Sequence, residues 1–169
     1  MEQLITKTFE EVLESNKEKI YRLCSIYAVS PLEPQDLFQD VVYQIWKSFS
    51  TFEGKSNINT WIYKIALNVC YSSKKRLDKR EGKKIRLETI QFHKSEVTQD
   101  QDLEEKYKAL QSCIVALDEK DRVLVILHLE ELRYKEIADI MSLTENYVAV
   151  RMKRIRKRLL DCITPKLKK

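Results

Sequence analysis

Apolar residues return along this chain every three or four positions, the repeat of an α-helix with one buried side. Over residues 5–29 the recurring positions are Phe9, Val12, Leu13, Ile20, Leu23 and Tyr27. Ser30-Pro31 ends that run, and Pro34 stands where a helix begins, because the first turn has no use for the missing N–H. A second helix is predicted over 34–49, with Phe38, Val42, Ile45, Trp46 and Phe49 as its stripe and Leu37 and Val41 beside it. Glu53 to Asn57 is a polar turn holding Gly54. A third helix follows from about Asn57 to Arg76. Its inward side is Ile58, Trp61, Ile62, Ile65, Ala66 and Val69, and its outward side Thr60, Tyr63, Lys64, Leu67, Tyr71 and Lys74.

From 77 to 104 the pattern lapses into a stretch that is basic, then acidic, and poor in large apolar groups. It resumes near Glu105. Leu110, Cys113, Ile114 and Leu117 mark one helix, and Val123, Ile126, Leu127 and the marginal Leu129 mark the next. A short helix over 134–141 carries Ile137, Ala138, Ile140 and Met141. The last runs over 145–163, with Pro165 after it. No strand-like alternation or internal repeat interrupts the series. The expectation is an all-α protein of two small helical domains, residues 1–80 and 105–169, joined by a flexible linker over 81–104.

Composition supports this. The 169 residues include only 2 Gly and 3 Pro, too few for a fold of many tight turns. No apolar run approaches the roughly 20 residues of a membrane span. The opening MEQLITKTFEEVLE lacks the basic head and apolar stretch of a signal peptide. Cys24, Cys70, Cys113 and Cys162 are widely spaced, form no CxxC motif and sit among apolar residues, so reduced core thiols in a cytoplasmic protein are expected. His93 and His128 lie near none of them, which argues against zinc.

Charge changes the picture more. The net value is +5, but residues 74–86 carry +6 and 144–169 carry +7, while 87–143 carry −6. Two basic blocks suit two contacts with a polyanion; solvated, lysine-rich helix ends are the alternative.

The second block lies in YKEIADIMSLTENYVAVRMKRIRKRLL, residues 134–160, which has the layout of a helix-turn-helix. Ala138 lets two helices cross closely, Leu143 plugs the turn, and Thr144 is a good N-cap with Glu145 at the positive helix end. Plotted at 100° per residue, Val148, Met152, Ile155 and Leu159 gather on one narrow side. Asn146, Tyr147, Val150, Lys153, Arg154 and Lys157 oppose them, with Arg151 and Arg158 on a flank. The early outward residues are candidates for base edges in a major groove, and Arg156, Lys157 and Arg158 for phosphates. A basic helix packed in a bundle, or lying on an anionic membrane, is the competing reading.

Tyrosines and lysines interleave on the outward side of the third helix, which suits stacking on single-stranded bases. The loop before it offers Lys55, Ser56, Asn57 and Asn59 to an extruded base edge, and Lys74, Lys75 and Arg76 extend the basic side. Trp61 is divided between core packing and base contact. The second helix is acidic: Glu33, Asp36, Gln39 and Asp40 lie along one side, as a solvated surface or as a docking face for a basic protein. No nucleophile converges with these carboxylates, so a nuclease is disfavoured and no enzymatic activity is expected.

PQDLFQDVVYQIWKSF, FEGKSNINTWIYKIALNVC and ALDEKDRVLVILHLEELRYKEIADIMSLTENYVAVRMKRIRKRL follow one another in the order and spacing of bacterial RNA polymerase sigma factors. The chain resembles the two-domain extracytoplasmic-function (ECF) group of the sigma-70 family. The resemblance implies that Asp36, Gln39, Asp40, Tyr43 and Trp46 dock on the β′ clamp of core RNA polymerase, with a further contact to the β flap. It implies that Lys55, Ser56, Asn57, Asn59, Trp61, Lys64, Asn68, Lys75 and Arg76 recognise and help melt a minus-ten element. Thr144 to Arg158, with Asn146, Tyr147, Val150, Arg151, Lys153, Arg154, Lys157 and Arg158 as contacts, would read a minus-thirty-five duplex. It implies no cofactor, promoter DNA and an anti-sigma factor as partners, and no membrane insertion. Ser142 and Ala149 depart from residues common in the family, glycine and a basic or polar residue respectively. A stand-alone helix-turn-helix regulator is the alternative, and it leaves the first domain unexplained.

Overall fold

The computed structural model describes residues 7–28, 31–81 and 101–168. The chain divides into two compact units, Met1–Ile85 and Arg86–Lys169. Among the described residues all regular structure is helical: α1 Phe9–Tyr27, α2 Pro34–Ser48, a 3-10 turn Phe49–Thr51, α3 Ile58–Glu81, α4 Gln101–Val115, α5 Glu119–Leu129, α6 Tyr134–Met141 and α7 Glu145–Leu167. Most of the expected linker lies outside the described residues; its last positions, 101–104, are the first turn of α4.

In the first unit α1, α2 and α3 pack against one another. Thr8 and Glu11 form a capping box at the head of α1, with N···O distances of 2.9 and 3.3 Å, which satisfies two end donors. Ile20, Leu23 and Ile26 of α1 close against Leu37, Val41 and Ile45 of α2 and Ile62, Ala66 and Cys70 of α3. Full burial of each large aliphatic side chain contributes about 1.5–3 kcal/mol. Cys24 and Cys70 are both buried, with sulfurs 3.8 Å apart, and the hydrogen bond between them, ahead of burial, pushes the Cys24 thiol well up.

Two stripes are rotated from expectation. On α2 the buried line is Leu37, Val41 and Ile45; Phe38, Val42 and Phe49 are half-buried shoulders, and Trp46 is 60% exposed. On α3 the expected outward residues Thr60, Tyr63 and Leu67 are buried, while Ile58, Trp61, Ile65 and Val69 are half-buried. The reason is that α3 is covered by both α1 and α2. A helix with two partners buries a wide sector, and a single stripe drawn through it falls on the boundary.

In the second unit α7 packs on α4, α5 and α6. Every residue from Val123 to Leu127 is buried, so α5 is the central helix, whereas Leu129 at its end is 55% exposed. Asp118 caps α5 by accepting the Asp121 N–H at 2.9 Å. Two expectations are corrected here. Cys113 and Cys162 are not free thiols but a disulfide joining α4 to α7; the packing of these two helices brings together residues that no local motif links. Helix α7 also continues through Pro165 to Leu167. Proline removes one donor near the helix end, and Lys166 Nζ donates to Ser112 Oγ on α4 at 2.7 Å, which holds the final turn.

Candidate nucleic-acid interface

The helix-turn-helix begins at Arg133, whose N–H donates to Glu136 Oε2 at 2.9 Å. That bond and one from the Arg133 guanidinium hold the Glu136 carboxyl below its usual range. Helix α6 stops at Ser142, which adopts φ 56° and ψ 45° and donates its N–H to the Ala138 carbonyl. Leu143 N–H reaches the same carbonyl at 2.9 Å. This is the left-handed cap that glycine fills without strain and serine fills at some cost. Thr144 Oγ1 then accepts the Tyr147 N–H at 3.2 Å and starts α7.

Val148, Met152 and Ile155 of α7 are fully inside, and Leu159 is half-buried. The opposite side is open: Asn146, Lys153, Arg154 and Lys157 are exposed, with Tyr147 at 47% and Val150 at 44%. The flanking arginines are engaged within the unit. Arg151 forms a two-pronged pair with Asp121, Nε to Oδ1 at 2.6 Å and Nη2 to Oδ2 at 3.0 Å, and also reaches Asp118 at 3.2 Å. Arg158 Nη1 joins Asp121 Oδ2 at 2.9 Å. Hydrogen bonds to the Asp121 carboxylate hold the Arg151 guanidinium above its usual range. Arg156 donates to Tyr134 Oη at 2.8 Å and lies 3.2 Å from His128 Nε2.

In the first unit Lys55, Ser56 and Asn57 lie exposed around Gly54, whose φ of 70° turns the chain into open space. Lys55 is ion-paired with Glu53. Asn57 Oδ1 accepts the Asn59 N–H at 2.9 Å, which starts α3. Asn59 is half-buried, and its Oδ1 accepts from the buried Asn16 at 3.2 Å, tying the loop to α1. Trp61 is half-buried against Phe52, ring centroids 5.1 Å apart. Lys64, Asn68, Lys75 and Arg76 are exposed, and Arg76 reaches Ser73 Oγ at 3.3 Å.

An open cleft of about 690 Å³ between α2 and α3 brings Asp40 and Tyr43 beside Asn68, Ser72 and Arg76. The candidate polymerase-binding and DNA-binding residues are therefore neighbours. Asp36, Gln39 and Asp40 are exposed, and Tyr43 and Trp46 are 58% and 60% exposed with rings 6.1 Å apart. Phe9, Phe38 and Val42 complete an apolar groove beside them. Helical periodicity places these three in the core; their half-buried state shows only once α1 and α2 are packed. Ser72, which sequence motifs do not single out, lies on the step of four from Asn68 to Arg76.

Among the described residues no group of three or more His, Cys, Asp or Glu side chains is placed to hold a metal ion, and no helix is long and apolar enough to cross a membrane.

Comparison with known proteins agrees with this geometry. The family model for sigma-70 region 2 matches residues 12–80, and that for sigma-70 region 4 matches residues 107–159. The ECF RNA polymerase sigma factor SigW of Bacillus subtilis is 26% identical over 168 residues, covering 90% of this chain and 89% of that protein. The RNA polymerase sigma factor SigV of the same organism is 29% identical over 155 residues, covering 86% and 84%. Among solved structures, the sigma factor RpoE from Bartonella quintana, in complex with the anti-sigma factor NepR, superposes with a TM-score of 0.73 at 19% identity, covering 92% of this chain and 96% of that one. CnrH in complex with the cytosolic domain of CnrY gives 0.64 at 14% identity, covering 93% and 88%. The two family models stand in their proper order and together match more than half of the chain, and the protein belongs to the extracytoplasmic-function group of the sigma-70 family.

Proposed function

We propose that this chain is a sigma factor that binds core RNA polymerase and directs it to promoters. It contributes recognition and no catalysis of its own, and acts in the cytoplasm. The observation that carries the reading is the outward side of α7: a capped helix-turn-helix presents Asn146, Tyr147, Val150, Lys153, Arg154 and Lys157 opposite a buried stripe. Such a side meets base edges with its first turns and phosphates with its later ones. We assign it to the minus-thirty-five duplex.

The first unit supplies the rest. Lys55, Ser56, Asn57, Lys64, Asn68, Lys75 and Arg76 form its exposed polar and basic surface, with Asn59 and Trp61 at the base of the loop. This suits an unpaired strand at the minus-ten element. Asp36, Gln39, Asp40, Tyr43 and Trp46 join exposed aromatics to carboxylates, a composition that suits a basic protein partner such as the β′ clamp. A further contact with the β flap is proposed. One structural neighbour was solved in complex with an anti-sigma factor, and a partner of that kind is proposed here also.

A gel-shift experiment tests the reading. Promoter duplex is expected to shift with this chain only when core polymerase is present. Tight, sequence-specific binding by the chain alone would favour a stand-alone regulator.

A further inference from the structure

Helix α7 carries six cations between Arg151 and Arg158, and the fold sorts them. Lys153, Arg154 and Lys157 are exposed and, among the described residues, form no hydrogen bond or ion pair. Arg156 is held by Tyr134 and His128. Arg151 and Arg158 turn instead toward α5, where Asp121 is only 1% exposed. A carboxylate at that depth persists as an anion only if its oxygens are bonded. Here Oδ1 takes Arg151 Nε at 2.6 Å, while Oδ2 takes Arg151 Nη2 at 3.0 Å and Arg158 Nη1 at 2.9 Å. Asp118 adds a bond to Arg151 at 3.2 Å while its other oxygen caps α5. Positions 151 and 158 lie about two helical turns apart on the same side of α7. Two anchors so placed fix both the rotation and the tilt of α7 on α5.

We propose that Asp121, backed by Asp118, is the positioning residue of the recognition helix: it holds Arg151 and Arg158 within the unit, so that these two arginines aim α7 and do not contact phosphate. Sequence alone counts them among the DNA contacts. The fold withdraws them and leaves Lys153 and Lys157 for the backbone. A free guanidinium on either flank would bind any duplex, so the pairing also limits sequence-independent affinity. The proposal rests on α7 being the duplex-reading helix.

Phosphate contacts are counted by the salt dependence of duplex binding, each lost contact lowering the slope by about one. The experiment uses the full chain assembled with core RNA polymerase on a promoter duplex, between about 50 and 200 mM salt, and compares each variant's slope with that of the wild type. Lys153→Gln and Lys157→Gln are expected to lower the slope by about one each, whereas Arg158→Gln and Arg151→Gln leave it unchanged. Asp121→Asn is expected to steepen it, by up to about two, as two guanidinium groups are released. Adding Arg151→Gln and Arg158→Gln to Asp121→Asn should then return the slope to the wild-type value, which a merely structural role of Asp121 does not predict. A slope reduced by about one in Arg151→Gln or Arg158→Gln overturns the proposal. So does an unchanged slope in a folded Asp121→Asn chain. Arg158→Gln keeps the Arg151–Asp121 fork, so it decides the matter even if the Asp121 variant does not fold. Wild-type slopes in both Lys153→Gln and Lys157→Gln remove the duplex reading itself and the proposal with it.

Discussion

Cys113 of α4 and Cys162 of α7 are joined by a disulfide, their Cα atoms 6.0 Å apart and their positions separated by 49 in sequence. In the chain-entropy account, closing a loop of that size disfavours the unfolded state by about 4 kcal/mol, with observed values of about 2–4. Reduction is therefore expected to loosen the second unit by a few kcal/mol and leave the first unchanged. Segment-resolved hydrogen exchange with and without dithiothreitol checks this, and Cys162→Ser should abolish the difference.

The junction between α6 and α7 yields a pair of opposite predictions. Ser142 holds φ 56° without being glycine, so Ser142→Gly is expected to stabilise the second unit by roughly 0.5–1 kcal/mol. Thr144 supplies the cap of α7 at 3.2 Å, and Thr144→Ala should destabilise it by about 1 kcal/mol. Urea unfolding of the two variants gives both signs.

Arg154 lies exposed on the outward side of α7, next to the exposed Val150 and Tyr147 in helical spacing. Arg154→Ala is expected to reduce run-off transcription from a cognate promoter about tenfold, in line with about 1–3 kcal/mol for a base-reading contact, with little change in thermal stability. Run-off at the wild-type level would remove Arg154 from the reading surface.

His128 sits between α6 and α7, facing Tyr134 and Arg156. Burial first and the Arg156 charge second hold its imidazole below the ordinary value of 6.5. The folded state thus prefers the neutral ring. That contribution is complete above 6.5 and is lost as the pH falls from there to the lowered value of the folded ring. The second unit should weaken over that window, and His128→Gln should flatten the change; a stability curve identical in the two proteins contradicts it.

Where a helix buries one stripe, the sequence was enough. Val148, Met152 and Ile155 recur at three and four, and α7 buries those three. The turn was equally legible, because the Thr144 cap and the small Ala138 act through local geometry. Legibility failed on α3, whose buried sector is wider than one stripe. Tyr63 and Leu67 looked outward because a single stripe was drawn through Ile62 and Val69, yet α3 is enclosed from two sides. It failed again where the partner is distant in sequence. Nothing near Arg151 announces Asp121, 30 positions earlier, and nothing near Cys113 announces Cys162. Spacing along one helix gives direction around its axis but not what waits there. The same limit hid the exposure of Trp46, whose 60% open ring turns a supposed core residue into the most prominent feature of the proposed docking surface.

The most direct measurement is capture of core RNA polymerase by the purified chain, followed by promoter-specific transcription. Wild-type protein is expected to bind core and start transcription at defined sites. Asp40→Ala and Trp46→Ala should weaken capture about tenfold or more, as loss of interface anchors does, while the first unit stays folded because neither side chain is buried. A wild-type chain that fails to associate with core polymerase, or docking-surface variants that capture it at full strength, would contradict the account.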